Sequence, residues 1–598
     1  MRKACQKIAK FSRNVVQGVA RDAAGNILPI AAMGVLVAVV VVGSAVDISR
    51  NYLARQQIQS ACDSAVLAGR RTVTTAGFDQ ASKDAAKAYF AANFNDNTQS
   101  TRSTSFTVTS PDDGQTVTAT ATTILDTLLM RVFGKDNFPI SVTCSSSMGV
   151  GNADVMMVLD TTGSMDSKLS GTQTRIQALR EAMKNFYTTI YNATAASNAR
   201  VRYGFVPFSS TVNVGRLLNG LDSRYIVDSY PYQSRIYEPD DSGDNDTNGV
   251  WNQNTPVKSY SSKSNCTPDL PADTAFTDSG SGATKVQTKK EYQCRQASDN
   301  KYYVYWRWIT RPYMMRYRQI TYDTSNFKKF NAVNTPTAAY GANESSTWGG
   351  CIQERGTVAQ ASFSYSSATG ITPKAALDLD LDGYPDVNDN NTKWAPLWPD
   401  VSFRRWNSSG NYTTATTTYG GDGGSYCPVQ ARLLSTMTQT AFNNYADSLQ
   451  AVGGTYLDIG MIWGGRMMSP QGMWQSLVND DPQNGGEVSR HIIFMTDGQM
   501  EPSYQIPQAW GMEYWDRRVT SDGYSNDASR HTSRFLAVCE AIKDKGIRVW
   551  VIAFTSGLSS DLQTCASDDS SFTATSSGEL NSAFQEIAKQ VGELRVVQ

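Results

Sequence analysis

Residues 153–165 read A-D-V-M-M-V-L-D-T-T-G-S-M, an apolar run from Val155 to Leu159 that ends at Asp160 and is followed by hydroxyls at alternate positions, Thr162 and Ser164. The run is short, leans to β at Val155 and Val158 and stops at Gly163, so it reads as a buried strand entering a tight loop. Parallel α/β sheets place ligand sites in the loops beyond the carboxyl ends of their strands. A carboxylate and two hydroxyls in such a loop offer oxygen to one crevice, the donor chemistry of a hard divalent cation. A Ser/Thr-rich turn would use the same residues without any metal. The remaining donors lie far downstream. His491 to Asp497 is a second apolar run ending in Thr-Asp-Gly, and Gly453-Gly454-Thr455 offers a hydroxyl on a glycine-rich loop ahead of an expected helix. Two carboxylates would balance the charge of a divalent ion, and an open coordination position could then take a carboxylate from a partner. No general base, and no nucleophile paired with a base, stands near these residues in the sequence, so binding is expected rather than catalysis.

Taken in this order, D-x-T-x-S, G-G-T and T-D-G resemble the three loops of the von Willebrand factor A (vWA) domain. The resemblance implies a metal-ion-dependent adhesion site. It implies Asp160, Thr162, Ser164, Thr455 and Asp497 as ligands of Mg2+ or Mn2+, some through water. Thr162 stands where serine is more usual and keeps the hydroxyl.

The chain has 598 residues, room for several domains. A net charge of -1 without long single-sign blocks gives no footprint for nucleic acid. With only two histidines and no H-E-x-x-H string, a zinc hydrolase is not indicated. Phosphate-loop, G-x-S-x-G and dinucleotide fingerprints do not occur. At the amino end Arg2, Lys3, Lys7, Lys10, Arg13 and Arg21 face one acid, Asp22, and residues 27–46 carry no charge, which is the ~20 residues a helix needs to cross a bilayer. A retained anchor fits this length better than a cleaved signal peptide, the alternative. The basic flank places residues 1–26 in the cytoplasm and the bulk of the chain across the membrane. Helical spacing continues through Ile48, Tyr52, Ile58, Cys62 and Ala65 to Gly69, followed by a helix over 80–93, a hairpin over 105–122 and a strand at 140–143. A long amino-terminal helix with a small sheet resembles a pilin-like module, here 47–150.

The runs R-D-A-A-G-N-I-L-P-I, S-A-V-D-I-S-R and Q-Q-I-Q-S-A-C-D-S-A-V-L-A-G resemble the amino-terminal segment of TadE/TadG-type proteins of the bacterial tight-adherence (Tad, or Flp) pilus system. The larger, TadG-like members join such an anchor to a vWA domain. The resemblance implies a single-pass inner-membrane protein that contributes to pilus assembly, anchoring or adhesion through a protein partner. Prepilin-type cleavage after Gly25 would want an acid at the fifth residue beyond it, and that residue is Ile30.

Strands alternating with helices in 151–211 and 431–598 predict an α/β fold: a vWA-type, Rossmann-like doubly wound sheet. The intervening 212–430 loses that rhythm and reads as a large β-leaning inserted subdomain, too long for a structureless loop. Within it, Tyr302 to Tyr322 mixes aromatics with arginines; paired strands explain this more simply than a glycan- or partner-binding face. Asp378, Asp380, Asp382, Tyr384 (through its carbonyl), Asp386 and Asp389 have the spacing of a calcium loop with Gly383 at its sixth position. This predicts a structural Ca2+ staple, and a solvated acidic turn is the alternative; Asp244 to Gly249 is a fragment of the same pattern. Of the nine cysteines, Cys5 falls on the cytoplasmic side, and the others lie where disulfides persist. Spacing alone does not fix connectivity. The expected pairs are Cys539–Cys565, Cys351–Cys427 and Cys266–Cys294, the second also suggested by the TadG resemblance of W-G-G-C-I-Q-E-R and Cys427-Pro428. The expected function is a non-enzymatic, metal-dependent adhesion or assembly protein. The alternative is a minor-pilin-like structural component whose metal sites only stabilise the fold.

Overall fold

The computed structural model describes residues 27–73, 78–111, 116–147, 152–170, 172–194, 199–484, 486–554 and 557–591. The basic residues before Ala23, Cys5, Gly25 and the hairpin turn Asp112 to Gly114 lie outside them. The chain divides into two compact units, one formed by 1–150 and the other by 151–592.

The first unit is built on helix α1 (Ile27–Arg71). Among the described residues it is the one helix long and apolar enough to cross a membrane. Its first half exposes Ile30, Leu36, Val39 and Val42. Beyond Asp47 a stripe of Ala54, Ile58, Ala61, Cys62 and Ala65 is buried at helical spacing. That stripe packs with helix α2 (Gln80–Asn93) and an antiparallel sheet of β1 (Thr101–Thr109), β2 (Thr116–Asp126) and β3 (Asn137–Ser147) around Phe90, Val117, Ala121 and Val142. The α1–α2 approach is close: a Cβ on Gly69 would come within 2.8 Å of that of Ala86. A disulfide, Cys62–Cys144, ties α1 to β3.

The second unit starts with β4 (Asn152–Asp160), buried along its whole length, then α3 (Arg175–Thr194) and β5 (Val201–Phe208). Three long strands follow in the 212–430 stretch: β6 (Ser229–Pro239), β7 (Val286–Gln296) and β8 (Tyr302–Asp323). The chain resumes its alternation with β9 (Arg432–Ser435), α4 (Gln439–Ser448), α5 (Leu457–Met468), β10 (Val488–Thr496), α6 (Asp527–Asp544), β11 (Arg548–Phe554), α7 (Ser560–Cys565), β12 (Ser571–Ala574) and α8 (Ser577–Val591). The sheet order is β9-β5-β4-β10-β11-β12, parallel throughout except for the antiparallel edge strand β9. Alternate residues of β4 serve opposite faces. Val155, Met157 and Leu159 pack with α3, α4 and α8, while Met156 and Val158 pack with α5 and α6.

Residues 212–430 are not a detached body. Trp348, Trp394, Trp398 and Leu379 belong to the same core as Val158, Ile462 and Phe535. Buried ion pairs cross the join, Arg466 to Glu354 at 2.8 Å and Arg534 to Asp378. Tyr302 to Tyr322 lies within β8, paired over its first half with β7 and over its second with β6. Its arginines face acids, as in Arg307–Glu291 at 2.5 Å and Arg318–Glu238 at 2.7 Å. The paired-strand reading therefore describes it. The disulfides Cys266–Cys294, Cys351–Cys427 and Cys539–Cys565 are formed.

Two charge clusters are buried in the second unit. Arg202 grips Asp154 through Nε (2.7 Å) and Nη2 (2.6 Å), with both side chains buried. Arg202→Met strands the carboxylate and is expected to cost about 3–5 kcal/mol; Arg202→Met with Asp154→Leu should recover most of it in denaturant unfolding. His531 lies between Asp458 (2.7 Å) and Asp527 (3.3 Å). Burial works against its charge, but the two carboxylates outweigh burial and hold the imidazolium up to about 10. Its contribution to stability is complete below the ordinary 6.5 and is lost as pH rises through about 10. Unfolding titrations should therefore show an alkaline loss of stability that His531→Gln lacks.

Candidate functional site

The parallel register of β4 and β10, with Leu159 beside Met495, brings Asp160 and Thr496 to the same sheet end, with Asp497 one residue on. Asp160 is fully buried and accepts hydrogen bonds from the Thr162 N–H (2.9 Å) and the Thr496 hydroxyl (2.7 Å). The loop then turns through a short 3-10 segment, Gly163–Asp166. There the Thr162 and Ser164 hydroxyls lie 2.9 Å apart, and the Ser164 hydroxyl donates to Asp497 Oδ1 at 2.7 Å. Arg175, the first residue of α3, puts Nη1 2.8 Å from the other oxygen, Asp497 Oδ2. Ser164 is solvent-exposed, so the cluster opens to the surface at that residue.

The third loop is held against the first by its backbone. The Gly163 N–H donates to the Gly453 carbonyl (2.9 Å), Val452 N–H to the Thr161 carbonyl (2.7 Å), and Gly454 N–H to Ser210 Oγ (2.8 Å). Gly453 has φ +78°, and a Cβ there would sit 2.8 Å from Ser210 Oγ; only glycine serves both demands. Thr455 is buried on this loop and paired through its carbonyl with Glu501 N–H at 3.0 Å. Of the five expected ligands, Asp160, Thr162, Ser164 and Asp497 are thus joined by direct contacts, and Thr455 is joined through its loop.

The electrostatics are those of a site short of positive charge. Burial, and then repulsion from Asp497, lift the Asp160 carboxyl to about 7, against hydrogen bonds that favour its ionised form. Two carboxylates and two hydroxyls at one opening are an oxygen donor set suited to a hard divalent cation, and one held there would relieve the repulsion. Arg175 and Thr496 were not singled out in the sequence. Thr496 is the threonine of T-D-G and was legible there. Arg175 carried no signal beyond standing at the start of a helix.

The calcium-loop residues are not gathered. Asp378 is buried against Arg534 and Trp510 Nε1 (2.7 Å), and Asp382 Oδ2 pairs with Lys545 at 2.6 Å. Asp380 Oδ1 accepts the N–H groups of Asp382 and Gly383, at 3.0 and 3.1 Å. Tyr384 donates its hydroxyl to the Gly472 carbonyl (3.1 Å), and Asp386 and Asp389 cap the N–H groups of Asn388 and Asn391 (both 2.9 Å). Protein cations, an indole and backbone N–H groups thus engage an oxygen of each of the five aspartates. Among the described residues no group of three or more histidines, cysteines or acids is placed to hold a metal.

Residues 25–86 match the family described as "Putative Flp pilus-assembly TadE/G-like". No curated protein matches the chain. Among solved structures, the pilus adhesin SpaC of Lactobacillus rhamnosus GG is similar at 12% identity and TM-score 0.27, over 82% of this chain and 34% of that one. The PilB minor pilin of Streptococcus sanguinis is similar at 10% identity and TM-score 0.29, over 82% and 77%. Proximal thread matrix protein 1 of the mussel byssus, with a zinc-occupied MIDAS motif, is similar at 15% identity and TM-score 0.16, over 29% and 36%. The chain spans about a third of the length of SpaC.

The lifted Asp160 carboxyl couples stability to pH. Between 3.8 and about 7 the folded protein holds a proton that the unfolded chain has released, so metal-free stability falls as pH rises across that window. Asp160→Asn keeps both hydrogen bonds available, since its amide can donate to Thr496 Oγ1. In chelator it should melt a few degrees higher than wild type above pH about 7, with the difference closing in acid. The same variant should lose any rise in melting temperature that wild type shows on adding Mg2+.

Proposed function

We propose that this chain is a membrane-anchored component of a Tad (Flp) pilus system, and that its second unit is a vWA domain that binds a protein partner through a divalent cation. The observation that carries the proposal is the meeting of Asp160, Thr162, Ser164 and Asp497 at the carboxyl ends of two adjacent parallel strands. The family match over 25–86 supports the pilus context, and the long apolar helix α1 supports a single-pass anchor. Mg2+ or Mn2+ would be held by Asp160, Thr162, Ser164 and Asp497, with Thr455 completing the set. The bound ion would supply a Lewis-acidic position for an acidic side chain of the partner. The residues of this chain hold the donors in place: Thr496 and the Thr162 amide orient Asp160, and Arg175 fixes Asp497.

A second reading is favoured by Arg175 alone. Because its guanidinium already engages Asp497, the cluster could be a structural joint in a minor-pilin-like component, with no partner bound through metal. Pull-down of envelope proteins on wild type and on Asp160→Ala, each with and without EDTA, separates the two. Metal-mediated binding predicts a partner recovered by wild type in Mg2+ and lost both in EDTA and with the variant, while the circular dichroism of the variant stays native. Equal recovery of the same proteins in all four arms would leave only the structural role.

A further inference from the structure

Residues 127–135, T-L-L-M-R-V-F-G-K, link β2 to β3 through a one-turn 3-10 segment, Met130–Phe133. Apolar side chains dominate its surface: Leu128 is 52% exposed, Leu129 40%, Val132 74% and Phe133 51%. Removing apolar side chains of this size from water is favourable, so a cluster of four left open to water marks a surface that something covers.

The loop's attachment indicates what covers it. The Asp47 carboxylate, 1% exposed, accepts three consecutive N–H groups, from Leu128 (2.9 Å), Leu129 (2.8 Å) and Met130 (2.7 Å). Arg50 braces the same corner through the Asp126 carbonyl at 3.2 Å. The base of the loop is closed by Thr127 N–H to the Asp136 carbonyl at 3.1 Å. Asp47 is the first charged residue after the uncharged run of α1. Leu129 reaches back past it, so that a Cβ on Gly43 would lie 3.0 Å from that of Leu129. The loop therefore touches α1 within the last turn of its uncharged span. Exposed Arg131 and Lys135 flank the apolar residues, where long basic chains can reach lipid headgroups.

We infer that this loop is seated in the bilayer interface where α1 leaves the membrane, with Leu128, Leu129, Val132 and Phe133 in the acyl boundary and Arg131 and Lys135 among the headgroups. A second attachment point of this kind fixes the tilt and rotation of the unit on the membrane surface, which a single helix leaves free. The inference depends on α1 as an anchor and not on the metal site.

The test uses the full chain with Cys5→Ser, reconstituted in vesicles of phosphatidylcholine and phosphatidylglycerol, with a nitroxide label at Val132→Cys or, as control, Thr109→Cys. Thr109 is exposed and pairs with Thr118, toward the far end of β2. Membrane seating predicts that the Val132 label collides several-fold more readily with oxygen than with an aqueous nickel chelate, and that the Thr109 label does the reverse. A Val132 label as water-accessible as that at Thr109 overturns the inference. So does a Val132 label shielded from both reagents, which would mean that a second copy or another protein covers the loop.

Discussion

Two buried carboxylates at neighbouring strand ends are costly, and the architecture of the second unit is arranged around that cost. Parallel pairing of β4 with β10 leaves Asp160 and Asp497 at one end of the sheet. The lift of Asp160 from 3.8 to about 7 corresponds to a bias on the order of 4 kcal/mol against its ionised form. The groups hydrogen-bonded to the pair answer that negative charge: the Thr162 amide, the Thr496 and Ser164 hydroxyls, and the Arg175 guanidinium. A fold selected for stability alone would replace such a pair with apolar residues. Its presence, open to solvent at Ser164, supports the proposed binding role.

The residues at 212–430 brace the helices that cover one face of the same sheet. Glu354 receives Arg466 from α5 together with the indole N–H groups of Trp463 and Trp394. Asp378 receives Arg534 from α6 and the indole of Trp510. Removing one partner from such a cluster leaves a buried charge with nothing to answer it, so the inserted stretch is locked to the two helices that cover this face of the sheet. The Gly454 N–H of the Gly453 loop donates to Ser210 Oγ, just past the end of β5. The loop carrying Thr455 thus takes its position from contacts distant in sequence.

How much of this was legible in the sequence depended on the range of the interaction. The strand ending at Asp160 and the helix at 80–93 follow from local patterns of apolar residues, and they appear where periodicity puts them. The pairing of Cys62 with Cys144 was not legible: it depends on α1 lying across β3, a contact between elements far apart in the chain. The aspartates from 378 to 389 show the reverse problem. Their spacing suits calcium, but spacing carries no information about Arg534 and Lys545, which arrive from α6 and its carboxyl end to take two of the carboxylates. Arg175 was invisible for the same reason, since nothing in its neighbours announces that a helix start will face Asp497.

Arg175 also bears on what the cluster could bind. With both carboxylates ionised and the guanidinium in place, the site retains one net negative charge, and a divalent ion would turn this into one net positive charge. An anionic side chain arriving from outside is then attracted, whereas without the ion it is repelled. The arginine holds Asp497 Oδ2 and leaves Oδ1 facing the Ser164 hydroxyl, so it need not leave for a metal to approach from the Ser164 side. A joint that served only to stabilise the fold would gain more from a second basic residue close to Asp160. Among the described residues no basic side chain is hydrogen-bonded or ion-paired to Asp160. The deficit of positive charge therefore falls on Asp160, the carboxylate that opens the D-x-T-x-S loop. It is this asymmetry between the two carboxylates, more than their number, that supports the proposed cation site.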